Sequence, residues 1–224
     1  MTSIIIIGSG GNAYDVLDSL DQINAAAPTW KLLGFLDDAR PVGTNYLGLP
    51  VLGTIDDARK FAACQFSNTI GSDRSYKQRM EVVRRCGVPD ERFATLVHPN
   101  SSVSSRACLG RGVSVSAGAS VAGGVLVGDH VLLGPGCIIG HNAVIEDYAI
   151  VAPGAIVSGF VRIERSCYIG AGARIRQHQK IGHSALVGMG AVVVDDVQPG
   201  ATVVGVPARP IERDASTRAT LRSC

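Results

Sequence analysis

The residues whose types and spacing best suit ligand chemistry form a glycine-rich turn near the N terminus. Gly8-Ser9-Gly10-Gly11-Asn12 follows four consecutive isoleucines and precedes a helical pattern. Such a turn between a strand and a helix lets backbone N–H groups approach a phosphate, and the start of the helix adds favourable partial charge. The turn lacks a complete GxGxxG spacing, so close packing of the helix on the strand is an equally simple explanation.

Two carboxylates, Asp37 and Asp38, end a second apolar stretch. Acidic side chains at this place in an α/β unit accept hydrogen bonds from ribose hydroxyls or from a base. With the glycine turn they predict a nucleotide site, and the alternative for these two residues is a solvated turn.

The elements that would position these groups are predicted over residues 1–92. Apolar runs indicate strands at residues 4–7, 32–36 and 66–70, and the stretches between and after them indicate helices at residues 13–26, 55–63 and 75–86. Gly71 and Ser72 follow the third of these strands. Alternating strands and helices predict a small parallel α/β domain, about half of a Rossmann-like dinucleotide-binding fold.

A different pattern begins near residue 93. Every sixth residue from Val97 to Val193 is aliphatic. A helix needs apolar spacings of three and four and a flat sheet needs two, so a strict period of six indicates short strands joined by tight corners. A parallel β-helix is therefore predicted for residues 93–210, and residues 211–224, rich in arginine, serine and threonine, are expected to form a frayed C-terminal tail.

Composition narrows the function classes. The net charge of +2 has both signs mixed along the chain, which predicts neither a nucleic-acid surface nor a polybasic membrane patch. No apolar run approaches the roughly 20 residues needed to span a bilayer, so we expect a cytoplasmic protein with small-molecule partners. Six cysteines without a CxxC pair indicate reduced, buried thiols.

The pairing of the two parts resembles a known family. A small α/β domain with GSGG and FLDD, joined to a hexapeptide β-helix with IGH, VAPGAIVSG and VVGVPARPI, is similar to the sialic-acid O-acetyltransferases and UDP-amino-sugar N-acetyltransferases. The resemblance covers nearly the whole chain. It implies a left-handed β-helix, a homotrimer, a nucleotide-sugar on the N-terminal domain, and acetyl-CoA in the groove between neighbouring β-helices. The implied reaction is acetylation of an amino or hydroxyl group of the sugar.

The same resemblance implies the catalytic residues. His141 matches the family's catalytic histidine, which takes a proton from the attacking group, a role that suits a side-chain type with a pKa of about 6.5. Asn142 stands where the family has a carboxylate; an amide can orient the imidazole but cannot stabilise its protonated form with a full charge. Gly159 matches the glycine whose N–H meets the thioester oxygen. It follows His141 by one three-sided coil, so we expect it about 4.8 Å along the β-helix.

Two binding sets are also implied by the resemblance. The expected nucleotide-sugar residues are Gly10, Gly11, Asn12, Asp37, Asp38, Gly71 and Ser72. The expected coenzyme residues are Ala171, Gly172, Gly188, Met189, Gly190, Ala191, Pro207, Ala208 and Arg209. Asn12, Gly134 and Ile150 differ from the family's usual residues, Ile150 replacing a second histidine near the acetyl group. These changes predict a different sugar or acyl chain, an O-acceptor, or lost activity.

Three alternatives stay open. His141 can be a residue that only caps a turn, and the chain can be a binding protein that kept the fold and lost catalysis. The third is a γ-type carbonic anhydrase, whose zinc needs three histidines. Glu146 and Ser105 occupy two of those places. His178 and His183 have the right separation but the wrong phase, so no metal site is predicted. His98 and His130 are interpreted as surface or corner residues without a role.

Overall fold

The computed structural model describes residues 1–211, so all but the first residue of the predicted tail at residues 211–224 lies outside the described residues. The N-terminal domain contains five strands and two α-helices. These are β1 (Thr2–Ile7), α1 (Asn12–Ala26), β2 (Trp30–Leu36), β3 (Asn45–Tyr46), β4 (Leu49–Gly53), β5 (Gln65–Asn68) and α2 (Arg79–Cys86). The sheet order is β3-β4-β2-β1-β5, and all its pairs are parallel except the β3–β4 hairpin.

The four isoleucines of β1 form a central strand because both faces of the sheet are covered. Ile4 and Ile6 pack against α1, and Ile5 and Ile7 pack against the opposite side, where α2 lies. All four are fully buried. A continuous apolar run, rather than an alternating one, is typical of a parallel strand buried on two faces.

The structure corrects two predicted elements of this domain and adds a hairpin. The helix predicted at residues 55–63 is a short 3-10 helix, Ile55–Lys60, and the one predicted at residues 75–86 divides into a 3-10 turn, Tyr76–Gln78, followed by α2. The hairpin of β3 and β4 was not predicted. Its turn is Leu47-Gly48, both with positive φ, and the strands are too short to give a periodic pattern.

The second part of the chain is a parallel β-helix with three faces, built mostly from two-residue strands. In chain order the strands are β6 (Leu96–Val97), β7 (Ser102–Val103), β8 (Cys108–Leu109), β9 (Ser114–Val115), β10 (Ser120–Val121), β11 (Leu126–Val127), β12 (Leu132–Leu133), β13 (Ile138–Ile139), β14 (Val144–Ile145), β15 (Ile150–Val151), β16 (Ile156–Val157), β17 (Arg162–Ile163), β18 (Tyr168–Ile169), β19 (Arg174–Ile175), β20 (Lys180–Ile181), β21 (Leu186–Val187), β22 (Val192–Val193), β23 (Thr202–Val204) and β24 (Arg209–Ile211). From β6 to β22, every third strand belongs to the same face: β6, β7 and β8 begin the first, second and third face respectively. The first face ends with β23, which pairs with β21, and with β24, which is antiparallel to β23.

The period of six places one aliphatic side chain of each strand in the interior. These residues form one continuous core with the small residues that precede the strands, such as Ala143, Ala155 and Cys167. The predicted β-helix is therefore confirmed. Four described cysteines are buried free thiols as expected, but Cys108 is exposed because it points outward from the third face.

From Gly112 to Gly190, each turn between faces has one residue with a left-handed backbone. Between the first and second faces this residue is glycine in five successive coils: Gly118, Gly136, Gly154, Gly172 and Gly190. We call these turns the glycine edge. The turns between the second and third faces contain His141 and are called the His141 edge. At the remaining edge the residues with positive φ are Gly112, His130, Tyr148, Ser166 and Ser184.

The N-terminal domain packs on the first face through a small apolar cluster. Tyr76 meets Leu132, Ile150, Tyr168 and Leu186, which point outward from successive strands of that face. Ile150 was expected near the acetyl group. In a single chain its side chain is instead buried at the domain junction.

The buried guanidinium of Arg79 also connects the two domains. Arg79 is 1% exposed, and its two Nη groups donate to the carbonyl oxygens of Ile70 and His130 at 2.6 and 2.7 Å. Burial lowers the pKa of Arg79 to about 10. His130 lies at a corner, one of the two positions expected for it, but not at the surface: it is fully buried between Phe93 and Tyr148, and burial lowers its pKa.

His98 is likewise 4% exposed, and its Nδ1 accepts the N–H of Asn100. Over residues 1–211 no helix is both long and apolar enough to cross a membrane.

Candidate functional site

A cleft opens at the carboxyl ends of β1, β2 and β5. Its volume is about 530 Å³. All seven expected nucleotide-sugar residues line it: Gly10, Gly11, Asn12, Asp37, Asp38, Gly71 and Ser72. Ligands of open parallel sheets bind at this end of the strands, because the loops there diverge and leave a crevice.

The glycine turn is open toward this cleft. A methyl group placed on Gly10 or Gly11 would meet no atom within 4 Å, whereas one on Gly8 would lie 2.4 Å from Ile70 Cγ1. Close packing thus explains Gly8 but not Gly10 or Gly11. Helix α1 begins at Asn12 without a side-chain cap, and the N–H groups of Ala13 and Tyr14 donate to the carbonyl oxygens of Gly10 and Gly11 at 3.0 and 3.1 Å. Within residues 1–211 the N–H groups of Gly10, Gly11 and Asn12 have no such acceptor and remain available to an anion.

Asn12 connects two parts of the cleft wall. Its Nδ2 donates to the carbonyl oxygens of Thr69 and Gly71 at 3.0 and 2.6 Å. The side chain therefore fixes the loop after β5 against the start of α1.

Asp37 fastens the glycine turn from the end of β2. Its Oδ2 accepts the N–H and the hydroxyl of Ser9 at 2.7 and 2.5 Å, and its Oδ1 accepts the N–H of Ala39 at 2.7 Å. Burial by itself would raise the pKa of Asp37, but these hydrogen bonds and the nearby Arg40 charge outweigh it, so the pKa is lowered. The ionised carboxylate thus holds the turn open, and only one Oδ1 lone pair is left for a ligand.

Asp38 is held by a residue that the sequence interpretation missed. Its Oδ1 accepts the N–H of Ile55 at 3.1 Å, and its Oδ2 accepts Arg85 Nη1 at 2.7 Å. Arg85 also pairs with Asp56 and lines the cleft together with Gln78. No local signal marks Arg85, because it is one of several charged residues on α2 and its partners lie 47 and 29 residues away.

His141 lies on the β-helix, at the edge named after it, and is exposed. Asn142 Oδ1 is 3.2 Å from His141 Nδ1. An amide oxygen only accepts hydrogen bonds, so this pair favours the tautomer with its proton on Nδ1 and leaves Nε2 free to take a proton. The structure thus places the amide oxygen where it can orient the imidazole, and the role itself stays a prediction.

Gly159 packs directly against this imidazole from the next coil. A methyl group on Gly159 would lie 2.8 Å from His141 Cε1 and 2.9 Å from Nε2. Within residues 1–211 the Gly159 N–H donates to no backbone or side-chain group. A proton acceptor and a free backbone donor thus adjoin one another, as acyl transfer through a tetrahedral oxyanion requires.

The six expected coenzyme residues Ala171, Gly172, Gly188, Met189, Gly190 and Ala191 lie together on the glycine edge, in two stacked turns. A methyl group on Gly172 or Gly190 would meet no atom within 4 Å, and Met189 is 81% exposed. The backbone is therefore accessible along this edge.

Pro207, Ala208 and Arg209 lie beside the last turn of the β-helix. Ala208 N–H donates to the carbonyl of Val192 at 2.8 Å, and Arg209 is 3.6 Å from Asp195. Arg209 is exposed, with a side chain that reaches solvent.

A single chain does not unite these three regions. The residues that line the cleft all come from the N-terminal domain, while His141 and the coenzyme residues lie on two different edges of the β-helix. His178 and His183 are also on different edges, and no group of three potential metal ligands occurs in the described part of the chain.

Two family models match the sequence. One, described as the PglD N-terminal domain, matches residues 3–85, and the other, described as bacterial transferase hexapeptide (six repeats), matches residues 124–159. No curated protein sequence matches significantly.

Solved structures match nearly the whole chain. The acetyltransferase domain of PglB from Neisseria gonorrhoeae is 30% identical with a TM-score of 0.81, covering 94% of this chain and 100% of that one; it is also solved with acetyl coenzyme A. PerB from Caulobacter crescentus, solved with CoA and GDP-perosamine, is 26% identical with a TM-score of 0.81, covering 95% and 98%. WeeI from Acinetobacter baumannii is 28% identical with a TM-score of 0.80, covering 94% and 100%. The predicted fold class, a Rossmann-like α/β half domain followed by a left-handed parallel β-helix, is confirmed.

Proposed function

Because the chain belongs to the hexapeptide-repeat family of left-handed β-helix sugar acetyltransferases, we propose that it transfers the acetyl group of acetyl-CoA to a nucleotide-linked sugar. The amino group is the favoured acceptor, since the perosamine enzyme among its structural relatives is an N-acetyltransferase. The reaction takes place in the cytoplasm, where acetyl-CoA is available.

The contact between His141 and Gly159 carries this proposal. His141 Nε2 takes a proton from the acceptor amine as its nitrogen attacks the thioester carbonyl, and the Gly159 N–H stabilises the negative oxygen that forms. Collapse of this intermediate forms the amide, breaks the C–S bond and releases CoA as a thiolate, which receives the proton from the imidazolium.

The cleft supports a nucleotide-sugar as acceptor. Gly10 and Gly11 expose backbone N–H groups for the diphosphate, and Asp37 maintains their conformation. PerB, which has the same architecture, is solved with GDP-perosamine. The glycine edge is assigned to acetyl-CoA on the basis of its accessible backbone.

The direct test supplies acetyl-CoA with UDP-, GDP-, CMP- and dTDP-linked amino sugars and follows free thiol release. Turnover with one of these acceptors is expected. Binding of both ligands by calorimetry without thiol release would instead favour the binding-protein alternative, and absence of any binding would contradict the proposal.

Replacing Asp37 by alanine is expected to weaken nucleotide-sugar binding about 10- to 150-fold, because a hydrogen bond to a charged group contributes about 1.5–3 kcal/mol. Acetyl-CoA affinity should stay nearly unchanged, since the coenzyme residues belong to the other domain. Calorimetric titration of each ligand measures both effects.

The matched control for this experiment is Asp21→Ala on the exposed side of α1, which should leave both affinities unaltered. Equal weakening of both ligands by Asp37→Ala would contradict the assignment of the two ligands to different domains.

We further propose a homotrimer, which would bring the separate ligand regions of neighbouring chains together. Apolar side chains are exposed on two faces of the β-helix in one chain: Ile138 on the second face is 46% accessible, and Leu126 on the third face is 50% accessible. Light scattering should give a mass of about 70 kDa, three times 23.3 kDa. A monomer at micromolar concentration would remove the shared coenzyme groove from the mechanism.

A further inference from the structure

The His141 edge contains two bulky side chains at positions where the glycine edge has only glycine. In successive coils its left-handed residues are Gly124, Asn142, Phe160 and His178, with φ of 74°, 58°, 59° and 64°. Positive φ suits glycine and asparagine but is an outlier for a bulky residue. Such conformations persist where the surroundings or the function require the side chain.

Burial does not explain why Phe160 occupies this place. Its side chain is 49% exposed, so removing it from water contributes only part of what a core phenylalanine gains. Its main chain is fixed independently of the ring, because Phe160 N–H donates to the His141 carbonyl at 3.0 Å.

The ring of Phe160 instead contacts the imidazole of His141. The two ring centroids are 5.1 Å apart and the planes meet at 88°, an edge-to-face arrangement. On the other side, His178 stacks on Phe160 with centroids 4.9 Å apart and an interplanar angle of 8°. The three rings form a continuous column along the His141 edge.

His141 needs such a contact because few other groups restrain it. Its hydrogen bond to Asn142 is long and involves no ionic partner, and Gly159 offers backbone but no side chain. The imidazole is exposed, so rotation away from the Gly159 N–H would otherwise meet little resistance.

We propose that Phe160, supported by His178, is a positioning residue that holds the His141 imidazole in its reactive orientation. The aromatic column takes over part of the orienting role that a carboxylate next to the histidine would perform. This inference rests on the proposed role of His141 as the base.

The test is Phe160→Gly, which suits the left-handed backbone and should leave the Tm unchanged or higher. Loss of the ring should lower kcat about 10- to 100-fold through misplacement of the base, with the KM for acetyl-CoA altered less than about twofold. His178→Gly should give a smaller decrease in the same direction. Phe160→Tyr keeps the ring and should restore most of the turnover.

A double substitution separates an effect on the position of His141 from a general effect on the structure. In a protein that already carries His141→Ala, Phe160→Gly should have no further effect on the residual rate. Ser184→Gly is the matched control, because Ser184 also has positive φ but lies on another edge, and its kcat should equal that of the unaltered protein.

Three results would overturn the inference: unaltered kcat in Phe160→Gly, an equal decrease with and without His141, or a change confined to the KM of the acceptor, which would make the ring a sugar contact. Each of them requires an active parent enzyme. If the unaltered protein acetylates no acceptor, the proposed function itself is contradicted. That outcome differs from the three results above, which all require an active enzyme.

Discussion

Replacing His141 by alanine is expected to lower kcat about 10²- to 10⁴-fold, the usual contribution of a general base. The binding of acetyl-CoA and nucleotide-sugar should change little, because the cleft residues and the glycine edge are untouched. Steady-state thiol release and calorimetric titration measure the two quantities separately.

The control for this loss is His183→Ala, which removes another exposed histidine on a different edge, 3.7 Å from Glu164. Its kcat should match that of the unaltered protein. Near-normal turnover in His141→Ala would exclude this histidine as the base and leave Asn142 as a turn residue.

Asn142→Asp tests the role of His141 as the base through the pH dependence of the rate. The left-handed backbone at this position, with φ of 58°, accepts aspartate nearly as well as asparagine. A carboxylate beside Nδ1 stabilises the protonated imidazole, so the acidic limb of the pH–rate profile should move to higher pH. When His141 is absent, the substitution should have no effect on the residual rate.

The second large effect is expected from Gly159→Ala. The added methyl group would lie 2.8 Å from His141 Cε1 and 2.9 Å from Nε2, closer than van der Waals contact allows. The exposed imidazole can swing aside at little cost to the fold, but it then leaves its position beside the Gly159 N–H. We expect kcat to fall about 10²-fold or more, with a Tm change of less than about 3 °C.

Gly123→Ala is the matched control for that substitution. Gly123 occupies the corresponding turn position in the coil before His141, and a methyl group there would approach Ser104 Oγ and Arg106 Cβ only to 3.5 and 3.8 Å. It should retain full turnover. If Gly159→Ala also retains it, the oxyanion role of this glycine is wrong.

Local pattern was sufficient for most of the fold. The period of six in residues 97–193 predicted the β-helix because each short strand must bury one aliphatic side chain whatever lies elsewhere in the chain. The isoleucine run, the glycine turn and the first helix were likewise predicted from local sequence pattern. The 3-10 helices were predicted as longer α-helices and the β3–β4 hairpin was missed, because these elements contain too few residues to show a period.

Side chains that act across long sequence separations had to be found in the structure. Arg85 meets Asp38, and Arg79 reaches the carbonyl of His130 across the domain junction. His130 was interpreted as a surface or corner residue; it does lie at a corner, but the N-terminal domain covers it, which no local pattern reveals.

The sequence by itself determined the two-part fold and the glycine turn with Asp37 and Asp38, since strand period and turn chemistry are local properties. The candidate pair His141 and Gly159 came from the resemblance of the sequence to the acetyltransferase family. Tertiary structure alone decided how these groups are held: Asp37 as the fastening of the glycine turn, and Phe160 with His178 as a ring column against His141. The physical reason is that the coil pitch fixes which residues are neighbours, while the direction of each side chain depends on the packing around it.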